Sequence, residues 1–324
     1  MAIKNKVNKP KRILAISHYY AIENRGGGEV MLHRILRHFV KQGYIVDAVA
    51  TNTEKGIDTL DGITVYQGAQ YKDMLTKDYD LVITQFENAP WVMAKADELK
   101  IPSLYIIHNN IQETKNILNM SNPTLVIFNT EWVKNDCNYN GNSIVVHPPI
   151  YAEEHATVSG NKITLVNLHV SKGANTFYNL ATNIPQGRFL GVKGGYFKEQ
   201  QVVINRRNVE IIENTQDMKN NVWANTRILL MPSVYESFGM VGVEAMASGI
   251  PVIARRTPGL EEALSYAGIF PQDNTLGAWK SEIYRLSDPV EYKKASELAL
   301  KRSAELNPDI ELSKLEKEVE KILK

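Results

Sequence analysis

At 324 residues, 44% of them hydrophobic and 23% charged, the chain has material for two ordinary globular domains and their cores. A formal net charge of +1 exerts no overall pull on nucleic acid or on an anionic membrane, which leaves only a local basic patch for such contacts. The single cysteine, Cys137, excludes an internal disulfide framework and fits a reducing, cytoplasmic setting.

The basic start, residues 1–12, is followed by no apolar segment of signal-peptide type, and no apolar run approaches the length that spans a bilayer. Membrane association is therefore expected to be peripheral at most. Arg12 to His18 reads as a short buried strand, the loop Tyr19 to Arg25 leads into Gly26-Gly27-Gly28, and a helix is expected from about Glu29 to Gln42. Strand, glycine loop and helix open a doubly wound α/β domain, whose ligands bind at the carboxyl ends of strands. The loop lacks the Gly-x-Gly-x-x-Gly dinucleotide fingerprint and has no phosphate-loop Lys-Ser/Thr. The helix carries an apolar stripe at Val30, Met31, Ile35, Leu36, Phe39 and Val40, and a basic face at His33, Arg34, Arg37, His38 and Lys41. Such a face could touch anionic lipid or a phosphorylated acceptor, but a plain solvated surface helix is the preferred reading.

Further strands are expected at Tyr44–Ala50, Ile63–Tyr66, Leu81–Thr84, Ser103–Ile107 and Thr124–Phe128, with helices near Trp91–Leu99 and Gln112–Met120. The alternation predicts a mostly parallel sheet. Asp78-Tyr79-Asp80 has the form of an Asp-x-Asp metal motif but stands just before a strand, where acids commonly mark a strand start. His108 ends the strand Ser103–Ile107, and at that end a side chain is placed for ligands. Asn129 to Trp132 reads as a helix cap.

The stiff run His147-Pro148-Pro149-Ile150 marks the domain boundary near 150. A fresh strand, Ile163–Leu168, leads to His169-Val-Ser-Lys172-Gly173 and a helix through about Thr182. Phe189–Gly195 is a strand running into glycines, and Val209–Ile212 another, with Glu213-Asn214-Thr215 after it. From Asp288 onward the period is helical, broken at Asn307-Pro308-Asp309.

The densest stretch is Met231–Arg255, MPSVYESFGMVGVEAMASGIPVIAR. It reads as a loop, a helix over Gly239–Ser248 and a strand, with Gly249 placed for a left-handed helix end. Free N–H groups around Phe238 to Val241 form a site for a diphosphate, and Gly239 permits close approach. Glu236 lies in the loop, and Glu244 lies about one and a half turns into the helix. A carboxylate so placed can accept from both ribose hydroxyls, and one in the loop can hold the hydroxyls of a sugar.

This string, Pro-Ser-x-x-Glu-Ser-Phe-Gly then Glu-Ala-Met-Ala-x-Gly-x-Pro-Val-Ile, resembles the signature of retaining nucleotide-sugar glycosyltransferases of family 4. The resemblance implies the GT-B fold, two Rossmann-like α/β domains facing each other across a cleft. The implied domains are 1–150 on the acceptor side, 151–308 binding the nucleotide-sugar, and a C-terminal helix, 309–324, which in that fold returns to the first domain. It also implies roles. Gly27 and Gly28 would face the sugar diphosphate, and His108 would hydrogen-bond the donor sugar. Lys172 would grip the diphosphate, and Gly194 and Gly195 would line the donor site. Ser237, Phe238, Gly239, Met240 and Val241 would cradle the phosphates, with Glu236 and Glu244 on the sugar and the ribose. The resembled Gly-Arg-x-x-x-x-Lys-Gly element departs here. Asn167 or Leu168 stands where Gly-Arg is expected, His169 is the nearest cationic candidate, and Lys193, Arg206 and Arg207 are substitutes by charge alone.

The expected activity is transfer of a sugar, with retention, from a UDP-sugar or, second, a GDP-sugar to a hydroxyl acceptor on a glycan, lipid-linked or other glycoconjugate. The nucleotide-sugar is substrate, and neither cofactor nor metal is expected. Nucleic acid is disfavoured as an acceptor by the neutral charge, a modified base in DNA staying open. A non-catalytic sugar-nucleotide binder is the alternative reading. A nucleotide-cofactor oxidoreductase is the further one, and it would need the missing fingerprint.

Overall fold

The apolar run after Arg12 forms strand β1 (Arg12–Ser17), whose successive side chains leave on opposite faces of a sheet. Ile13 and Ala15 pack with Met31, Leu32, Ile35 and Phe39 on one face, and Leu14 and Ile16 with Val92 and Ala96 on the other. A strand buried on both faces reads as continuous apolar sequence, the mark of a parallel sheet covered by helices on both sides. The computed structural model describes residues 9–22, 26–195 and 200–324. The basic stretch 1–8 and the end of the loop before the glycines, 23–25, lie outside the described residues.

The chain divides into two units. The first comprises residues up to Asn129, Lys134–Val146 and Ile310–Lys324; the second comprises Thr130–Val133 and His147–Asp309. Among the described residues the first holds an eight-stranded sheet in the order β3-β4-β2-β1-β5-β6-β7-β8. The strands are β2 (Ile45–Ala50), β3 (Gly56–Leu60), β4 (Ile63–Gln67), β5 (Leu81–Gln85), β6 (Ser103–Ile107), β7 (Leu125–Phe128) and β8 (Ser143–Val145). All pairings are parallel except β3 with β4, a hairpin closed by Asp61-Gly62, both at positive φ. Leu312, Leu315 and Val319 of the last helix, Pro308–Ile322, are fully buried in this unit's core.

The second unit holds a six-stranded parallel sheet in the order β11-β10-β9-β12-β13-β14. Its strands are β9 (Lys162–Val166), β10 (Phe189–Val192), β11 (Val209–Ile212), β12 (Thr226–Met231), β13 (Val252–Ala254) and β14 (Gly268–Ile269). Alternation recurs: Leu229 and Met231 pack to one side, Ile228 and Leu230 to the other.

Two readings of the glycine loop and its helix need correction. The helix spans Gly27–Lys41, so Gly27 and Gly28 form its first turn and do not belong to the preceding loop. Its basic face is not a solvent-facing stripe. His33, Arg34 and His38 are buried, His33 Nε2 meets Asp61 Oδ2 at 3.0 Å, and His38 Nε2 meets Glu316 Oε2 at 3.1 Å. The hairpin turn and the C-terminal helix cover these residues and supply their acids, so His33 and His38 have intramolecular partners in place of the solvent expected for this face.

Candidate functional site

In the second unit the parallel strands deliver several loops to one carboxyl edge of the sheet. After β9, Asn167 takes a left-handed conformation (φ 72°) and turns the chain. Its Oδ1 accepts from the His169 N–H at 3.2 Å and from Gln201 Nε2 at 3.1 Å. A short 3₁₀ turn, Val170–Lys172, follows, and Gly173 (φ 87°) joins it to the helix Ala174–Asn183. A side chain at Gly173 would strike Pro232, so this turn lies directly against the loop that leaves β12.

That contact brings the central residues together. Lys172 Nζ donates to Glu236 Oε1 at 2.6 Å, and Ser233 Oγ donates to the same oxygen at 2.8 Å. The Lys172 side chain is 32% exposed and that of Glu236 15%, so the pair is sheltered yet reachable. The helix Met240–Met246 starts after Gly239, which caps it at φ 90° without a side-chain hydrogen bond. Its first N–H groups, on Met240 and Val241, have no acceptor within the helix. The space a Cβ would need on Gly239 is filled by Leu260, 2.5 Å away, so glycine here serves the left-handed turn and the packing beneath it. Glu244 is not brought into the Lys172–Glu236 pair. Its Oε2 stands 3.9 Å from His155 Nδ1, facing the short helix Ala152–His155, and its side chain is 12% exposed.

Ser237 and Phe238 hold the loop in place. Trp132 Nε1 donates to the Ser237 carbonyl at 2.8 Å, and the His147 ring lies 5.3 Å from that of Phe238, which is buried. The residue that organises these contacts is Glu262, in the turn 258–262 that the sequence marks as the opening of a helix in a ligand-facing loop. It accepts from the backbone N–H groups of Glu131 at 2.7 Å and Trp132 at 3.0 Å, and from His147 Nε2 at 2.8 Å. Burial pushes its carboxyl up, but the His147 and backbone hydrogen bonds outweigh this and hold it below the ordinary range. Gly259 of the same turn supports the loop as well. A Cβ there would lie against the carbonyl oxygens of Glu236 and Ser237, so the helix Pro258–Leu264 seats the loop from below.

Two of the other expected cations, Lys193 and His169, are engaged, whereas Arg207 is exposed. Lys193 Nζ pairs with Glu213 at 2.6 Å. His169 caps the 3₁₀ turn, its Nδ1 accepting from the Ser171 N–H at 3.1 Å, while Nε2 faces Gln200 Oε1 at 2.8 Å. Gly194 donates its N–H to Gln201 Oε1 at 3.0 Å and lies against Asn167, while Gly195 is exposed beside Asn214. Arg255, which the sequence did not single out, follows β13 and bonds through its N–H to the Met231 carbonyl at 2.9 Å. Its Nε is enclosed without a hydrogen-bond partner, and its side chain makes no ion pair among the described residues.

In the first unit, His108 follows β6 and is part-buried. Its Nε2 lies 2.7 Å from Gln85 Oε1, and its ring stacks on Phe86 at 4.8 Å. Burial pushes the imidazole pKa down to about 3, so the ring is neutral at ordinary pH. A Cβ on Gly28 would come within 2.5 Å of Phe86 Cζ and 3.4 Å of His108 Nε2, which places this glycine beside the histidine, while Gly27 is exposed at the helix start. Asp80 is occupied by Lys11 Nζ at 3.0 Å and by the Arg12 N–H at 2.8 Å, a strand-start role. No group of three or more His, Cys, Asp or Glu is arranged to hold a metal ion among the described residues.

Comparison with known proteins places these features in context. Residues 176–288 match the family model described as "Glycosyl transferases group 1". A D-inositol 3-phosphate glycosyltransferase of Streptomyces bingchenggensis is 40% identical over 78 residues, which cover 23% of this chain and 17% of that relative's length. Across the whole chain the fold is similar to that of a sucrose-phosphate synthase from Thermosynechococcus elongatus, with TM-score 0.77 and 16% identity over 96% of this chain and 99% of that one. Anabaena HepE, solved in complex with UDP-glucose, gives TM-score 0.75 and 16% identity over 96% of this chain and 99% of its own. At such identities the likeness establishes the fold, two α/β domains of the GT-B class. No helix among the described residues is long and apolar enough to cross a membrane.

Proposed function

Taking residues 176–288 as a group 1 glycosyltransferase domain, we propose that this chain transfers a sugar from a nucleoside diphosphate-sugar to a hydroxyl acceptor with retention of anomeric configuration. The observation that carries the reading is the Lys172–Glu236–Ser233 cluster, set where the carboxyl ends of β9 and β12 meet. A lysine at that edge is placed to take the charge that develops on a departing diphosphate, and the first amides of the helix Met240–Met246 add donors beside it. The bond from the anomeric carbon to the β-phosphate oxygen breaks, and the acceptor oxygen attacks the same face of an oxocarbenium-like sugar. The acceptor proton passes to the departing phosphate oxygen. Glu236 and His108 orient the sugar hydroxyls and Glu244 holds the ribose. The scheme calls on no metal or cofactor.

UDP-sugars are the first choice of donor, supported by the UDP-glucose complex of the HepE neighbour, and GDP-sugars the second. The acceptor is assigned only as a hydroxyl of a glycan or other glycoconjugate. Asn167, standing where an arginine is expected, favours one second reading, a sugar-nucleotide binder without turnover. Arg255 supports the first reading against it, as a cation tied by its N–H to the Met231 carbonyl at the end of β12, with its Nε unengaged. Incubation with UDP-glucose, UDP-galactose and GDP-mannose tests the choice. Slow release of free UDP or GDP, with the sugar's starting anomer in the first product, is the expected result. Saturable binding with no release would select the binder.

A further inference from the structure

The first unit contains a buried polar relay that the sequence did not announce. Gln85, at the end of β5, has no exposed surface, and its Nε2 donates to Ser17 Oγ, at the end of β1, at 2.8 Å. With the amide so turned, Oε1 faces His108 Nε2 at 2.7 Å, and a carbonyl oxygen can only accept. The histidine proton is then on Nε2, leaving Nδ1 as a lone pair with no partner among the described residues. Amide and tautomer are locked to each other, because a flipped amide would demand the opposite tautomer.

Phe86, the next residue, holds a left-handed backbone (φ 52°), which a bulky side chain adopts only where its surroundings insist. That conformation lays its ring against His108 on one side and in the space a Gly28 side chain would need on the other. The imidazole is thus fixed in rotation by Phe86 and in protonation by Gln85. A neutral ring locked this way presents one acceptor atom in one direction, which suits a hydroxyl donor and disfavours an anion.

Resting on the transferase reading above, we propose that Gln85 is the positioning residue that keeps His108 as its Nε2–H tautomer, so that Nδ1 accepts a hydrogen bond from a hydroxyl of the donor sugar. Long-range ¹H–¹⁵N spectra of the histidine rings, with His108 assigned by His108→Gln, should show a neutral Nε2–H form from pH 6 to 8. Gln85→Met should give a mixture of tautomers. It should also raise KM for the sugar donor about tenfold, the scale of one hydrogen bond, with kcat little changed. Binding of UDP, which carries no sugar, should stay within twofold, whereas a merely structural loss would weaken it in parallel. Gln85→Glu keeps an acceptor against Nε2 and should restore the tautomer and most of the donor affinity at pH 8. If Gln85→Met does not fold, Ser17→Ala frees the amide to flip and should produce the same mixture of tautomers with a smaller rise in KM. Turnover by the wild-type protein together with an Nδ1–H ring overturns the role of Gln85 alone, as does an unchanged donor KM. No turnover by the wild-type protein removes the transferase reading and this role with it.

Discussion

Replacing Lys172 by alanine isolates the charge on which the proposed chemistry depends. Its Nζ lies 2.6 Å from Glu236 Oε1, and Glu236 keeps a second donor in Ser233 Oγ at 2.8 Å. The loss therefore leaves no buried carboxylate stripped of partners. With both side chains partly exposed, the pair should contribute at most about 1 kcal/mol to stability, so the melting temperature should barely move. Catalysis should respond quite differently. A hydrogen bond from a charged donor is worth roughly 1.5–3 kcal/mol, which corresponds to about one to two decades in turnover. Because hydrolysis releases the nucleoside diphosphate without an acceptor, the rate is measurable as free UDP from UDP-glucose. Lys172→Ala should lower kcat by that factor, and Lys172→Arg by less. Glu236→Gln tests the coupling, since Glu236 fixes the lysine and, in the proposed scheme, also meets the sugar. The double variant should lose less than the sum of the two single losses. A Lys172→Ala protein that releases UDP within twofold of the wild-type rate would refute the assignment, whatever Glu236→Gln did.

Glu244→Gln should weaken UDP binding about tenfold by calorimetry with a smaller effect on kcat, the cost of a charged acceptor to ribose hydroxyls; an unchanged Kd would free Glu244 for a role toward His155 alone. Gly259→Ala drives a methyl group against the carbonyls of Glu236 and Ser237, both backbone, and should destabilise the second unit by about 1–3 kcal/mol in denaturant melts while displacing the loop and reducing UDP release. An unaltered melt would show that the loop yields freely. Glu262 supplies a pH test. Its folded-state pKa lies below the ordinary 4.5, so its contribution is complete above that value and is lost as pH falls through the lowered one. Glu262→Gln should therefore lower stability at pH 7 and flatten the acid limb of the stability profile; parallel profiles for the two proteins would contradict the linkage.

What the sequence disclosed and what it concealed follow from how each residue acts. Strands buried on both faces, such as Leu81–Gln85 and Leu125–Phe128, announce themselves because the chemistry that buries them is written in contiguous residues. Glu236 was legible through a dense local string and Lys172 through its resemblance to one part of a motif, and the structure places them in contact. The hairpin strand Gly56–Leu60 was missed. Its burial is slight, with Ile57 62% exposed, so it carries no apolar signal, although the Asp61-Gly62 turn that makes it was present in the sequence. The basic face of Gly27–Lys41 misled for the opposite reason. Its partners, Asp61 and Glu316, arrive from a hairpin turn and from a helix at the far end of the chain, and no window of sequence joins them. Gln85 and Glu262 belong with those partners. A buried amide at a strand end and an acid in a short helix are unremarkable as letters. Their importance lies in acceptor geometry toward residues 23 and 115 positions away. Residues that touch a ligand tend to sit in loops with a local pattern, whereas residues that aim those residues are recruited from wherever the fold brings an acceptor within 3 Å. Under the proposed roles, the second kind is found by following hydrogen bonds outward from the first, along the path from His108 to Gln85 to Ser17.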